Sequence, residues 1–183
     1  MRKWVNFLAY QAVWFAVVAS AARGHPALGI AAAAVFVIAQ LVLSRNRALD
    51  ARLMAAAALS GLIVDGALGV SGWLRYTSPK PAFPSHGAPL WILCLWVSFS
   101  LTLPRSLAGI TQRRWLAGLL GAVGGPLAYA SAARGFGAVE FAPPAARACA
   151  ALALGWGGAM PLLAYLSQRD AAARSAALIE VGS

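Results

Sequence analysis

Asp65 is the residue with the clearest chemical potential. It is the single charge in an otherwise uncharged apolar stretch covering 53–74. A carboxyl group in apolar surroundings can act as a proton or cation site or as a general base, and an ionisable side chain at bilayer depth is a functional candidate by default. If the stretch is a helix, Asp65 lies about 12 residues, or roughly 18 Å, from its start. The same arithmetic sets Trp14 at roughly 15 Å and Tyr129 at roughly 21 Å in their own stretches, with Trp156 near that level when counted from the other side. Gly124-Gly125-Pro126 falls there too. Two readings follow. In one, Asp65 floors a mid-depth cavity walled by aromatic rings. In the other, it is a structural carboxyl bonded to Tyr129 or to a backbone carbonyl, with Arg134 as a second partner reaching down from the interface.

The N-terminal stretch adds polar groups. Asn6, Tyr10 and Trp14 follow an i, i+4, i+8 pattern and share a helix face, with Gln11 about 100° away. Amides inside apolar helices commonly join neighbouring helices. Asn6 and Gln11 are therefore either packing glue or ligand contacts. Gly121 and Gly125 form a small-xxx-small pair suited to close helix packing, with Gly157 and Pro161 as candidates for the opposing face. Trp73, Tyr76, Trp91 and Trp115 sit near the ends of apolar stretches, where aromatic residues anchor at interfaces.

Other chemistry is poorly supplied. His25 and His86 lack a third clear ligand, so no metal site is expected. Cys94 and Cys149 lie in apolar runs and are expected to be free. Phosphate-loop, nucleophile-elbow and zinc-hydrolase motifs are absent. A lone Asp without a second carboxylate cannot run paired-carboxylate catalysis. No cofactor is expected.

The elements that position these residues follow from composition. The 183 residues are 61% apolar and only 11% charged, against about 25% charged in an ordinary soluble domain. A chain of this size cannot hide so much apolar surface and keep a polar skin. Soluble enzymes, disordered tails and disulfide-rich secreted modules are excluded. The net charge of +10 comes from residues scattered between apolar runs. It reads as topology-setting charge and not as a nucleic-acid surface.

Charges divide the chain into six windows of near-membrane length, at about 4–22, 26–44, 53–74, 89–104, 115–133 and 148–168. Each has roughly the 20 residues a helix needs to cross a bilayer core, and none alternates with period two. The expected fold is all-α: a polytopic bundle of six transmembrane helices forming one domain over 1–168, with a cytoplasmic amphipathic tail at 169–183. The Lys and Arg residues of alternate connections number ten on one side and five on the other. The excess marks the cytoplasm and sets both termini there. Arg2 and Lys3 followed by an apolar run also resemble a signal peptide, but Asn6, Tyr10 and Gln11 interrupt it. Pro79, Pro81 and Pro84 make the 75–88 connection extended. Arg exceeds Lys by 13 to 2 and Ala and Gly are frequent, the composition of a GC-rich bacterial genome.

Several strings carry a resemblance. They are Asn6-x-x-x-Tyr10-Gln11-x-x-Trp14-Phe15, Gly61-x-x-x-Asp65, Leu74-Arg75-Tyr76, Pro89-Leu90-Trp91-x-x-x-Leu95-Trp96-x-x-Phe99, Gly124-Gly125-Pro126-Leu127-x-Tyr129 and Arg134-x-x-Gly137-Ala138. Together they resemble a bacterial inner-membrane family known only as a domain of unknown function, over about residues 4–166. Members of that family often read Thr-Leu-Asn-His-Ser-Leu where this chain has Thr102-Leu103-Pro104-Arg105-Ser106-Leu107. Any role of that Asn-His pair is missing here. The resemblance implies a gene neighbourhood of cyclopropane-fatty-acid synthase relatives and other fatty-acyl modifying enzymes, and hence membrane lipid as partner.

Three functions are then open. The chain could bind or present a lipid or apolar ligand without catalysis, using Asp65, Tyr129, Trp14, Gln11, Trp156, Asn6 and Arg134. It could be a small transporter with Asp65 as a proton or cation site. It could be an intramembrane lipid-modifying enzyme with Asp65 as base and Arg75 or Arg134 holding a headgroup.

Overall fold

The computed structural model describes residues 3–181, with side chains described through Arg169. Helix α1 (Lys3–Ala22) stops at Gly24, whose φ of +78° disfavours a side chain. Helix α2 (Pro26–Val42) starts with proline in its first turn, where the missing amide proton is no loss. The two helices cross tightly because Gly29 has no side chain; a Cβ there would lie 2.6 Å from the Val17 Cα.

Helix α3 (Arg47–Val70) begins six residues before the apolar window at 53 and ends four before its limit. The charged 47–52 segment looks like a loop by hydropathy. Asn46 nevertheless caps it, its side chain accepting from the Leu49 amide at 3.1 Å, and Asp50 sits in the favourable first turn.

Helix α4 (Leu90–Ser100) is the largest departure, with 11 residues in place of the expected sixteen-residue window. Pro104 is the physical reason. Its ring collides with the carbonyl four residues back, that of Ser100, and it offers no amide. The chain continues in tighter turns, with the Leu103 amide on the Ser100 carbonyl, and then forms a short helix α5 (Ala108–Thr111). Helix α6 (Arg114–Ser131) runs into a π-turn at Ala132–Phe136, closed by Gly137 at φ +70°. Helix α7 (Ala145–Val181) is the last of the described elements. The side-chain arrangement expected of an amphipathic tail lies outside the described residues.

The extended 75–88 connection contains strands β1 (Leu74–Tyr76), β2 (Ala82–Phe83) and β3 (Ala88–Pro89). β1 pairs antiparallel with β4 (Val139–Phe141), with Arg75 opposite Glu140. This sheet caps one end of the bundle, called here the sheet end. Ser78 ties it down by donating to the Ala21 carbonyl at 2.7 Å, and the Trp91 indole donates to the Ser78 carbonyl at 2.9 Å. At the other end, Arg105 makes a two-pronged pair with buried Asp50, at 3.0 and 2.7 Å. Ser106 donates to the Asn6 side-chain carbonyl there.

Four helices are long and apolar enough to cross a membrane: Lys3–Ala22, Arg47–Val70, Arg114–Phe136 and Ala145–Arg169. α2 and α4 are apolar but shorter. The outer surface is apolar too. Leu154, Trp4 and Leu28 are 79%, 77% and 70% exposed, which suits a hydrocarbon surrounding and would be an aggregation hazard in water.

Candidate functional site: a buried carboxylate beside an open groove

Asp65 is fully buried and holds three donors from three other elements. The Tyr76 hydroxyl of β1 donates to Oδ1 at 2.9 Å, and the Trp96 indole of α4 donates to Oδ2 at 2.7 Å. The Tyr129 hydroxyl of α6 also donates to Oδ1. Depth matching had singled out Tyr129, and the bond is present. Arg134 is different: it is exposed, and no bond joins it to Asp65 among the described residues. It lies in the π-turn beyond α6, which turns the chain toward β4 and away from the bundle interior.

Tyr76 and Trp96 were not expected as partners. Tyr76 and Trp91 looked like interfacial anchors, yet both are buried, because the sheet folds Tyr76 back over the end of α3. Trp73 and Trp115 remain exposed. A signal for Trp96 did exist in Gly61. A Cβ at Gly61 would lie 2.6 Å from Trp96 Cδ1, so the glycine one turn before Asp65 admits the ring that reaches the carboxyl.

The donor set suits an ionised carboxyl, which accepts only and has about four lone-pair sites. An indole nitrogen can only donate, so Oδ2 must accept. Burial first, and then the Asp65 charge, hold the Tyr76 hydroxyl well above the usual tyrosine range, so it stays a proton donor. No arginine or lysine pairs with Asp65 among the described residues.

Trp96 stacks on Trp156 of α7, ring centres 3.8 Å apart. Trp156 in turn faces α6, where Gly125 leaves room for it; a Cβ there would be 2.5 Å from Trp156 Cδ1. Gly121 is likewise closed against the Trp156 backbone. The small-residue pair thus packs α6 on α7, but its opposing residues are Trp156 and Met160; Gly157 and Pro161 instead face Gly118, one turn earlier on α6. A Trp91, Trp96 and Tyr129 wall encloses a cavity of about 50 Å³ next to the carboxyl.

Adjoining this cavity, with Tyr10, Trp14, Ala128 and Trp156 lining both, lies a groove of about 790 Å³ between α1 and α6. Its walls include Gln11, Trp14 and Phe15 from α1, and Leu120, Gly124 and Ala128 from α6; Phe99, Trp156 and Met160 form the floor. Phe136 closes the sheet end, its ring edge-on to Trp14 at 5.9 Å. The groove exists because α1 packs on α2 and α4 and stands apart from α6. Of the residues singled out in the sequence, Gln11, Trp14 and Trp156 line the groove, and Asp65 and Tyr129 sit behind its floor. Asn6 does neither: it is buried at the far end against Ser106.

Three buried side-chain atoms have no hydrogen-bond partner among the described residues, Asn6 Nδ2, Ser98 Oγ and Trp156 Nε1. The last belongs to a ring of the groove floor. Cys94 and Cys149 are free, and no group of three metal-ligating side chains occurs among the described residues.

No curated protein and no solved structure matches the chain. Residues 3–162 match the family described as a protein of unknown function, DUF2878, and the chain belongs to that family.

Proposed function

We propose that this is a multi-pass protein of the bacterial inner membrane that holds an acyl chain of a membrane lipid in the groove between α1 and α6, without catalysing a reaction on it. The groove itself carries this reading. Its volume of about 790 Å³ lies within the roughly 300–1,000 Å³ of ligand pockets, and its lining is apolar and aromatic with few polar groups. From Leu120 to Ser131 it follows α6 for about 16 Å, a shape suited to a chain and not to a compact solute. The surrounding topology is six spans with both termini cytoplasmic, the turns after Ser100 extending α4. Reporter fusions after Arg47 and Arg113 are expected to read cytoplasmic, and one in the Pro79–His86 loop extracytoplasmic.

The direct test uses a phospholipid with a photoreactive acyl chain, reconstituted with the whole protein. Labelling is expected to concentrate on Phe99 and Met160 and to fall when Gly124→Leu fills the groove. Labelling spread evenly over Leu154 and other outward residues would refute the groove. The role in fatty-acid modification, with acyl-modifying enzymes as partners, rests on the family resemblance. It predicts an altered fatty-acid profile in a deletion strain.

A second reading has its own support. A buried carboxylate without a cationic partner, beside a small cavity, is also what a proton or cation site would need. Proton-coupled flux in proteoliposomes, lost in Asp65→Asn, would favour it. Base catalysis by Asp65 is less well supported, because the carboxyl is outside the groove and its oxygens already accept three bonds.

A further inference from the structure

The groove is not uniform along its length: its sheet end is formed by the π-turn, and that turn carries a cation. Ser131, Gly135 and Phe136 line the groove, and Arg134 lies between them in sequence, exposed. Arg75, on the same end of the bundle, has Glu140 at 3.7 Å. Arg134 has no acidic partner among the described residues. π-Turns are rare and concentrate at functional positions. Here the turn combines an aromatic stop, Phe136, with an exposed arginine next in sequence to the lining Gly135, although its guanidinium is not itself part of the groove lining.

We infer that the occupant is a glycerophospholipid of the leaflet at the sheet end, its phosphate held by Arg134 and one acyl chain lying in the groove. The inference rests on the groove reading above and adds the headgroup chemistry and the leaflet. Charge complementarity carries it. A guanidinium offers paired N–H donors that match phosphate oxygens, and the phosphate stands at the depth where an arginine beyond the last helical turn is found. The chain then descends past Phe136 and Trp14 toward Met160. A neutral lipid with the same chains lacks the anion and forfeits the contact at the mouth.

The experiment compares two fluorescent lipids of identical acyl composition, phosphatidylglycerol and diacylglycerol, titrated onto the delipidated full-length protein in neutral detergent. Wild type is expected to bind the phospholipid roughly three- to tenfold more tightly, the effect of one partly screened charge-assisted contact. Arg134→Gln should remove that preference, and Arg134→Lys should restore part of it. Arg147→Gln, an exposed arginine on the same end, should leave it intact. Gly124→Leu should weaken both lipids alike. Equal binding of the two lipids by wild type overturns the phosphate assignment, as does an equal loss in Arg134→Gln and Arg147→Gln. If those results come with a Gly124→Leu loss, the groove survives without its headgroup site. If Gly124→Leu also changes nothing, the groove fails with it.

Discussion

The Asp65 cluster and the α1–α6 groove share a wall, the Trp96–Trp156 stack, and differ in how each uses the space that glycine leaves. On the cluster side the space beside each glycine is filled, although a cavity of about 50 Å³ stays open behind Trp91, Trp96 and Tyr129. Gly61 is occupied by the Trp96 ring, Gly125 by the Trp156 ring, and the carboxyl by three donors. On the groove side Gly124 faces nothing within 4 Å, although it is adjacent in sequence to Gly125. One helix therefore carries an interlocked position, Gly125 at the groove floor, about 100° from an open one, Gly124. The first pins helices together. The second is where the bundle can accept something that is not protein. The difference between a structural and a functional glycine lies in what stands opposite it.

The largest effect should come from emptying the cluster. Asp65→Ala leaves the Tyr129 and Trp96 donors without an acceptor in the interior, and leaves Tyr76 only the backbone carbonyl of residue 65 at 3.5 Å. At about 1–3 kcal/mol for each of the two unmet donors, the loss should be about 2–6 kcal/mol. Unfolding in mixed micelles, followed by tryptophan fluorescence, would read it. Stability within error of wild type would mean that the three bonds do not hold the bundle together.

Filling a glycine on the cluster side comes next. Gly61→Ala and Gly125→Ala each push a methyl into an indole ring and should destabilise by about 1–3 kcal/mol, the usual range for overpacking. They should also disturb the Trp96–Trp156 stack, seen as a changed near-ultraviolet circular dichroism signal. A neutral Gly125→Ala would show that the contact between α6 and α7 is looser than described.

Asp65→Asn should be milder than Asp65→Ala. The amide oxygen can face the Trp96 indole, which only donates, while the amide nitrogen donates to a tyrosine hydroxyl turned round to accept. A loss of about 1 kcal/mol is expected, close to that of Tyr129→Phe. If lipid labelling in the groove persists in Asp65→Asn, the carboxyl is a packing element. If labelling vanishes while the protein stays folded, the cluster and the groove are coupled through their shared indole stack.

These contrasts explain what was legible in the sequence. Hydropathy and charge spacing revealed the helices, because burial in lipid constrains every residue of a span. They misplaced the ends of α3, because hydropathy does not register an Asn46 cap. They overextended α4, although Pro104 was visible and the proline rule alone would have shortened it. Equal depth brought Asp65 and Tyr129 together correctly, since helices that cross the same layer keep residues of one level within reach. Depth could not reveal Tyr76, whose position depends on the β1–β4 pairing across more than sixty residues of sequence. Nor could it separate Gly124 from Gly125, because which glycine faces a neighbour depends on how α6 is rotated in the bundle.

The smallest stability effect should come from Gly124, and it is the most informative because its sign is opposite. A glycine in the interior of a helix is less favourable than alanine by about 0.8–1.0 kcal/mol. No neighbour stands where the new methyl would go. Gly124→Ala should therefore leave stability unchanged or raise it by up to about 1 kcal/mol, while Gly125→Ala, one residue away, lowers it. The larger Gly124→Leu should keep the fold and occupy the groove, so that acyl labelling of Phe99 and Met160 falls severalfold. A helix that tolerates a leucine and loses its lipid has a position kept as glycine for the ligand. If Gly124→Leu instead unfolds the protein, α1 and α6 close on each other in the membrane, and the space between them is not a binding site.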